Sequence, residues 1–313
     1  MNNMWRSIAK YARQQIVQSD PQQIKEILKL WYLRLLALIK LGLCQLASAE
    51  LEKLGDLDRP EFFDAEESLV PFELRILHAT LPSHLKYPTV TLERLTLLII
   101  YCQKNSKKSK VMANKDLWKH RELQTYLVLV THWIHLKDYT AAATTMQHIL
   151  RYDNKDNVDI LSSLGRLYLQ MGDLVSAHEM FQRIEELCSE KKDMIAIKEA
   201  IEMNKAFVAM SQGEWLQARD ILQQLYEVNQ DNLLAINNLA VCEVYLGNLA
   251  IELLEALTLN NPTSAGTCET AIMNMCTLYE LRYEDATEKK IQVMKQVARW
   301  AGDSFQPDCI KLQ

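Results

Sequence analysis

The stretch Leu161-Ser-Ser-Leu164-Gly165-Arg-Leu-Tyr168-Leu-Gln-Met-Gly172-Asp-Leu-Val-Ser-Ala177-His-Glu-Met-Phe181 decides how this chain reads. Leu161, Leu164 and Tyr168 fall on one helical face before Gly172. Leu174, Ala177, Phe181, Ile184 and Leu187 fall on one face after it. Two helices therefore meet at Gly172, a residue type that accepts the left-handed conformation at a helix end. Asp173 is placed to cap the second helix. Gly165 and Ala177 are the small residues at which two antiparallel backbones can approach, with Tyr168 and Phe181 filling the space beside them.

The same layout recurs in Lys137-Asp-Tyr-Thr-Ala-Ala142-Ala-Thr-Thr-Met146, in Gly213-Glu-Trp-Leu-Gln-Ala218-Arg-Asp-Ile-Leu222 and in Ile236-Asn-Asn-Leu239-Ala240-Val-Cys-Glu-Val-Tyr-Leu-Gly247. The turn positions 137, 172, 213 and 247 are 35, 41 and 34 residues apart. A period of about 34 with this arrangement resembles the tetratricopeptide repeat. The longer step implies an extended connection or helix around Cys188 to Ala200. An earlier unit runs from Trp31 to Gly42, Ala47 and Leu51, its helix beginning at Asp20-Pro21. Residues 70–103 keep helical periodicity with poor consensus and read as a degenerate repeat. After Gly247 the small residue expected five positions on is Glu252, an irregularity of two residues.

A hairpin cannot hide its own apolar stripe, so such units must stack. The expectation is an all-α protein, a right-handed α-solenoid of tetratricopeptide-type hairpins. It divides into an N-terminal helical part with degenerate repeats (1–113), the clear repeats (114–262) and C-terminal capping helices with a tail (263–313). The capping helices, Thr267 to Val297, read as longer and more charged than the rest.

Composition agrees. With 49% hydrophobic residues in 313, the chain can bury an extensive core, and only 8 Gly and 7 Pro punctuate it, too few for a turn-rich β protein. A net charge of −5, from 35 basic and 40 acidic residues, is not a nucleic-acid footprint. The densest basic run, Lys104-Asn-Ser-Lys107-Lys108-Ser-Lys110, reads as a solvated loop. The seven cysteines have no C-x-x-C spacing and read as small buried residues of a reducing compartment. The longest apolar stretch, Leu30 to Leu43, is broken by Arg34 and Lys40, so a soluble, cytoplasmic protein is expected.

No chemistry-bearing constellation emerges. His132 and His135 could share a helix face, but no third ligand accompanies them. No phosphate-cradling glycine loop or nucleophile elbow is present. The adjacent pairs Glu66-Glu67 and Glu185-Glu186 point apart on a helix. Neither catalysis nor a cofactor or metal is expected. What remains is the face formed by the first helix of each repeat. Counting from the small crossing residue, it offers His135, Arg166, Gln170, Phe207, Met210, Asn237 and Tyr245 to a partner, with Phe207 and Tyr245 as aromatic anchors or, equally, as packing against neighbouring repeats. It lacks the Lys and Asn cluster that would clamp a C-terminal carboxylate, as chaperone-docking modules do.

Four blocks carry a more specific resemblance. Met4-Trp5-Arg-Ser-Ile-Ala-Lys10-Tyr-Ala, Leu69-Val-Pro71-Phe-Glu73-Leu-Arg75-Ile-Leu-His78-Ala, Asn238 to Gly247, and Gly302-Asp-Ser304-Phe-Gln-Pro-Asp-Cys309-Ile-Lys-Leu312 are similar to the subunit-12 family of trafficking protein particle (TRAPP) complexes. The tail and the segment around Phe72 lie outside the repeat consensus, which makes them the telling ones. The resemblance implies a scaffold in a TRAPP III-type tether that promotes nucleotide exchange on a Rab-type GTPase, in endoplasmic reticulum-to-Golgi transport and autophagy. The implied partners are the large subunits 8 and 11, with 13 as a further candidate. Contact with the GTPase would be indirect, and membrane association, at endoplasmic reticulum exit sites and the Golgi, would come through the complex. The repeats alone would equally suit a peptide-binding adaptor of another cytosolic pathway.

Overall fold

The computed structural model describes residues 4–64, 67–109, 111–152, 156–189, 195–248 and 250–312. Two compact units divide between Ile149 and Leu150. The N-terminal unit contains α1 (Trp5–Gln18), α2 (Ile24–Lys40), α3 (Cys44–Leu54), α4 (Phe72–His84), α5 (Pro88–Lys108), α6 (Met112–His135) and most of α7 (Tyr139–Tyr152). The C-terminal unit contains α8 (Val158–Met171), α9 (Leu174–Leu187), α10 (Ile195–Gln212), α11 (Trp215–Val228), α12 (Leu233–Tyr245), α13 (Ile251–Asn260), α14 (Glu269–Arg282) and α15 (Thr287–Trp300). The described β structure is one antiparallel pairing, Phe63 with Ser68 and Asp64 with Glu67. Each unit is all-α, built from consecutive antiparallel pairs of helices.

One backbone device recurs at every hairpin turn from α2/α3 to α12/α13. A residue one or two positions past the first helix is left-handed: Gly42, Lys86, Lys137, Gly172, Gly213 and Gly247, with φ from 61° to 80°. The following N–H then donates to the carbonyl five residues back, as Asp173 does to Tyr168 at 3.0 Å and Asn248 to Glu243 at 2.8 Å. This closes the orphan carbonyls at the helix end and fixes the angle at which the chain doubles back. Four of the six positions are glycine, which takes this conformation without steric cost. At the other two a lysine bears the strain, and Lys86 is one of these, which hides the turn within residues 70–103.

The crossing positions follow from the turn. Five residues after it stand Ala47, Thr91, Ala142, Ala177 and Ala218, all fully buried. Seven residues before it stand Leu35, Ala79, Val130, Gly165, Ala206 and Ala240, buried as well. Asp173 caps α9 by accepting from the Ser176 N–H at 3.0 Å. Thr91 occupies a slot filled elsewhere by alanine, and its hydroxyl is buried with no hydrogen-bond partner. Thr91→Val, which keeps the shape and removes the orphan hydroxyl, is expected to raise stability by about 1 kcal/mol. A rise in urea midpoint at unchanged slope would register it; a loss would show that the hydroxyl is satisfied.

Several sequence expectations are corrected. Helix α2 starts at Ile24, because Asp20 turns the chain instead, its carboxylate accepting from the Gln22 N–H at 3.0 Å. The basic run is not a loop: Lys104, Lys107 and Lys108 lie on the last turns of α5, where cations suit the negative helix end, and Lys110 lies outside the described residues. The α9 stripe ends on buried Cys188, with Leu187 exposed. The 41-residue step contains an 18-residue α10, and residues 190–194 lie outside the described part. The C-terminal helices are no longer than α8 and α9, at 14 residues each. After Gly247, α13 begins at Ile251, four residues beyond the turn instead of the two seen at the other turns. Ala250, Ile251, Leu254 and Leu257 are buried and Glu252 is turned to solvent, so the buried stripe begins at Ala250 and skips the position five residues past the turn.

Residues in and around the off-repeat blocks tie neighbouring helices together. Arg34 makes a two-pronged ion pair with Glu50 and donates to the Ala9 carbonyl at 2.8 Å, joining α1, α2 and α3. Around Phe72, Arg121 lies over the rings of Phe72 and Trp118, while Arg75 lies over Tyr101 and pairs with Asp58 at 2.7 Å. In the tail, Ile310 is buried beside α14 and α15, and buried Lys290 donates both to Glu280 and to the Lys311 carbonyl. These contacts give the telling residues structural duties that the repeat pattern does not require.

Candidate functional site

The first helices of the C-terminal hairpins, α8, α10 and α12, line a groove of about 370 Å³. Its walls are polar at the rim, with Asp159, Ser163 and Arg166 on α8 and Glu199 on α10. Deeper, Ser162 donates to the Asn204 side-chain carbonyl at 3.2 Å, tying α8 to α10, and Asn204 is buried. Met203 and Leu234 supply apolar surface. Such a lining, mostly polar with a small apolar floor, offers hydrogen-bonding groups to a length of extended polypeptide.

The predicted contact residues divide by position. Arg166 lies in this groove. Gln170 is exposed one turn further along α8. Phe207 and Met210, on α10, are half-buried against a core cluster containing Ala206, Ala218, Leu222 and Leu239. Asn237 accepts from the Asn274 amide at 3.0 Å, linking α12 to α14. Tyr245 is 64% exposed and stacks flat on Trp215, centroids 3.9 Å apart and planes 1° from parallel. His135 belongs to the other unit, on α6, where its Nδ1 engages the Thr131 carbonyl at 2.7 Å. Sequence reasoning missed Asn204, Ser162 and Trp215. For Trp215 a signal existed: an indole on the first position of α11, outside the buried stripe Ala218, Leu222, Leu225.

His132 is buried with its Nε2 at 3.3 Å from the Pro88 carbonyl, so it and His135 serve different neighbours. Among the described residues no three His, Cys, Asp or Glu side chains converge as a metal site. Glu66 lies outside the described residues; Glu185 sits 3.8 Å from Lys205. All seven thiols are free. Burial pushes Cys102 up to about 12 and Cys242, Cys276 and Cys309 up to about 11, so these are protonated and unreactive at neutral pH.

A second hollow, of about 380 Å³, lies in the N-terminal unit between α3, α4 and α5. Its imidazole, His78, is held neutral: burial and then the Arg94 and Arg75 guanidiniums lower its pKa to about 4. Arg94 donates to the His78 carbonyl at 2.9 Å. A ring so far below neutrality is a structural group between two cations rather than a base poised for turnover.

No protein-family model matches the chain. Aligned over 318 positions, 91% of its length, it is 31% identical to "Trafficking protein particle complex subunit 12" of mouse. The human subunit of the same name gives the same identity and coverage. The chain is a relative of subunit 12. It spans about two-fifths of that subunit, 39% of the mouse protein and 42% of the human one. The subunit-12 resemblance of the four blocks is thus the relationship found along most of the sequence. Among solved structures, a tetratricopeptide repeat protein from Parabacteroides merdae superposes with a TM-score of 0.51 at 12% identity, covering 98% of this chain and 96% of that one. That likeness establishes the tetratricopeptide-type helical-repeat fold for this relative of subunit 12.

Proposed function

We propose that the chain is a non-catalytic scaffold subunit of a multisubunit vesicle tether of the TRAPP III kind. That complex would promote nucleotide exchange on a Rab GTPase during endoplasmic reticulum-to-Golgi transport and autophagy. The observation that carries the reading is the 31% identity to subunit 12 along 91% of the chain. The consecutive helical hairpins support a holding role, since their exposed helix faces can carry protein contacts. The chain would contact the large subunits 8 and 11, with 13 as a further candidate, through the face that includes Arg166 and the Trp215–Tyr245 stack. It would meet the GTPase only indirectly, and it would reside with the complex in the cytoplasm, at endoplasmic reticulum exit sites and the Golgi.

Affinity purification of the tagged chain from its own cells tests this. Recovery of subunits 8 and 11 in near-stoichiometric amounts is expected. A preparation containing no tether subunit would reject the assignment. The groove beside Asn204 favours one second reading, a peptide-binding adaptor of another cytosolic pathway. Under it, the bound partner would be a short linear segment displaced by a synthetic peptide, and tether subunits would be missing from the purification.

A further inference from the structure

The α5/α6 hairpin carries a charge distribution unlike the rest of the chain. Lys104, Lys107 and Lys108 occupy the last turns of α5, and Lys115 and Lys119 the first turns of α6. The antiparallel register is pinned by Gln103, which donates to Glu122 at 2.8 Å. All five lysines are exposed, and none is in an ion pair among the described residues. The only acidic residue between 104 and 119 is Asp116, in a chain whose net charge is −5. Between the two clusters, Val111 and Met112 are 58% and 66% exposed, and Leu117 is exposed beyond them. Met112, Lys115 and Lys119 share one helical face at i, i+3 and i+7.

Unpaired lysines around protruding aliphatic side chains, at the tip of a hairpin, match one surface in particular. We propose that the α5/α6 tip is a direct contact for an anionic phospholipid membrane, the lysines meeting headgroups while Val111 and Met112 enter the acyl boundary. Charges more than about 8 Å from a surface are screened at physiological salt, so the tip's charge governs and not the acidic balance of the whole chain. Each lysine near an anionic leaflet strengthens binding about fivefold, and the aliphatic pair adds an apolar contribution that soluble polyanions cannot reward. No described helix is long and apolar enough to cross a membrane, so this contact is peripheral. It adds a lipid-facing point to a chain otherwise expected to reach membranes through its complex.

Flotation of the chain with vesicles of phosphatidylcholine, with and without about 30% phosphatidylserine, is the test. Binding to the anionic vesicles alone, weakening with salt, is expected. Lys104→Gln, Lys107→Gln and Lys108→Gln together should weaken it about 100-fold. Val111→Ser with Met112→Ser should weaken it severalfold at unchanged charge. Lys115→Gln with Lys119→Gln gives an independent arm on the second helix, should the first variant fold poorly. Absence of flotation, equal binding to neutral vesicles, or indifference to every lysine change would overturn the proposal. So would competition by polyglutamate or transfer RNA together with indifference to the serine changes, which would mark a general polyanion patch.

Discussion

Gly165→Leu is expected to cost about 3 kcal/mol or more and to break the α8/α9 crossing. A Cβ built on Gly165 would lie 2.5 Å from Phe181 Cε1, 2.8 Å from Cζ and 3.0 Å from Cδ1. Carbon atoms do not approach that closely, so the ring or the backbone must move. Phe181 has nowhere to go, being buried with Ile184 along the stripe that α9 turns inward. Leucine adds three more carbons beyond the Cβ. Gly165→Ala is the sharper form of the test. In an ordinary helix interior that change gains about 1 kcal/mol; here it should lose stability. Melting temperatures should therefore fall from the parent chain to Gly165→Ala and again to Gly165→Leu. A rise for the alanine variant would show that the helices do not meet at this glycine.

The second large effect is acid sensitivity of the N-terminal unit through His78. The unfolded imidazole binds a proton near pH 6.5, and the folded one not until about 4. Between those values the unfolded state holds the extra proton, so stability falls as pH falls. The full penalty, about 3 kcal/mol, is reached near pH 4. Above pH 6.5 both states are neutral and the effect vanishes. Asp56 and Asp58 act in the opposite sense to Arg94 and Arg75, and burial leads the sum. His78→Gln removes the titration. Urea midpoints at pH 7 and pH 4.5 should converge more in the variant than in the parent chain, since other carboxylates titrate in both. An unchanged pH slope would mean His78 is protonated in place.

Most of the architecture was legible because a hairpin crossing tolerates so few residue types. Gly165, Ala177, Ala206 and Ala218 announce themselves by size, and Gly172, Gly213 and Gly247 by backbone freedom. The turn at Lys86 was hidden because lysine can be held left-handed by the Tyr87-to-Pro82 hydrogen bond, at 2.9 Å, and Thr91 can replace alanine at the crossing. The basic run misled because lysines are at home both in loops and at helix C-termini. The candidate face was half legible. Counting from the crossing finds Arg166 and Tyr245, which face outward, but it also selects Phe207 and Asn237, which the structure occupies with core packing and with Asn274. Which first-helix positions stay open depends on the neighbouring pair, and single-repeat spacing carries no information about that. Asn204 and Ser162 escaped notice because each is an ordinary polar residue until α8 and α10 bring them to 3.2 Å.

Under the proposed function, repeated hairpins hold partner subunits on the face built by α8, α10 and α12. Hydrogen–deuterium exchange of the chain, alone and within the purified complex, tests it most directly. Slowed exchange should concentrate in peptides from Val158–Met171, Ile195–Gln212 and Leu233–Tyr245. Protection confined to α9, or exchange in the complex identical to that of the free chain, would contradict it.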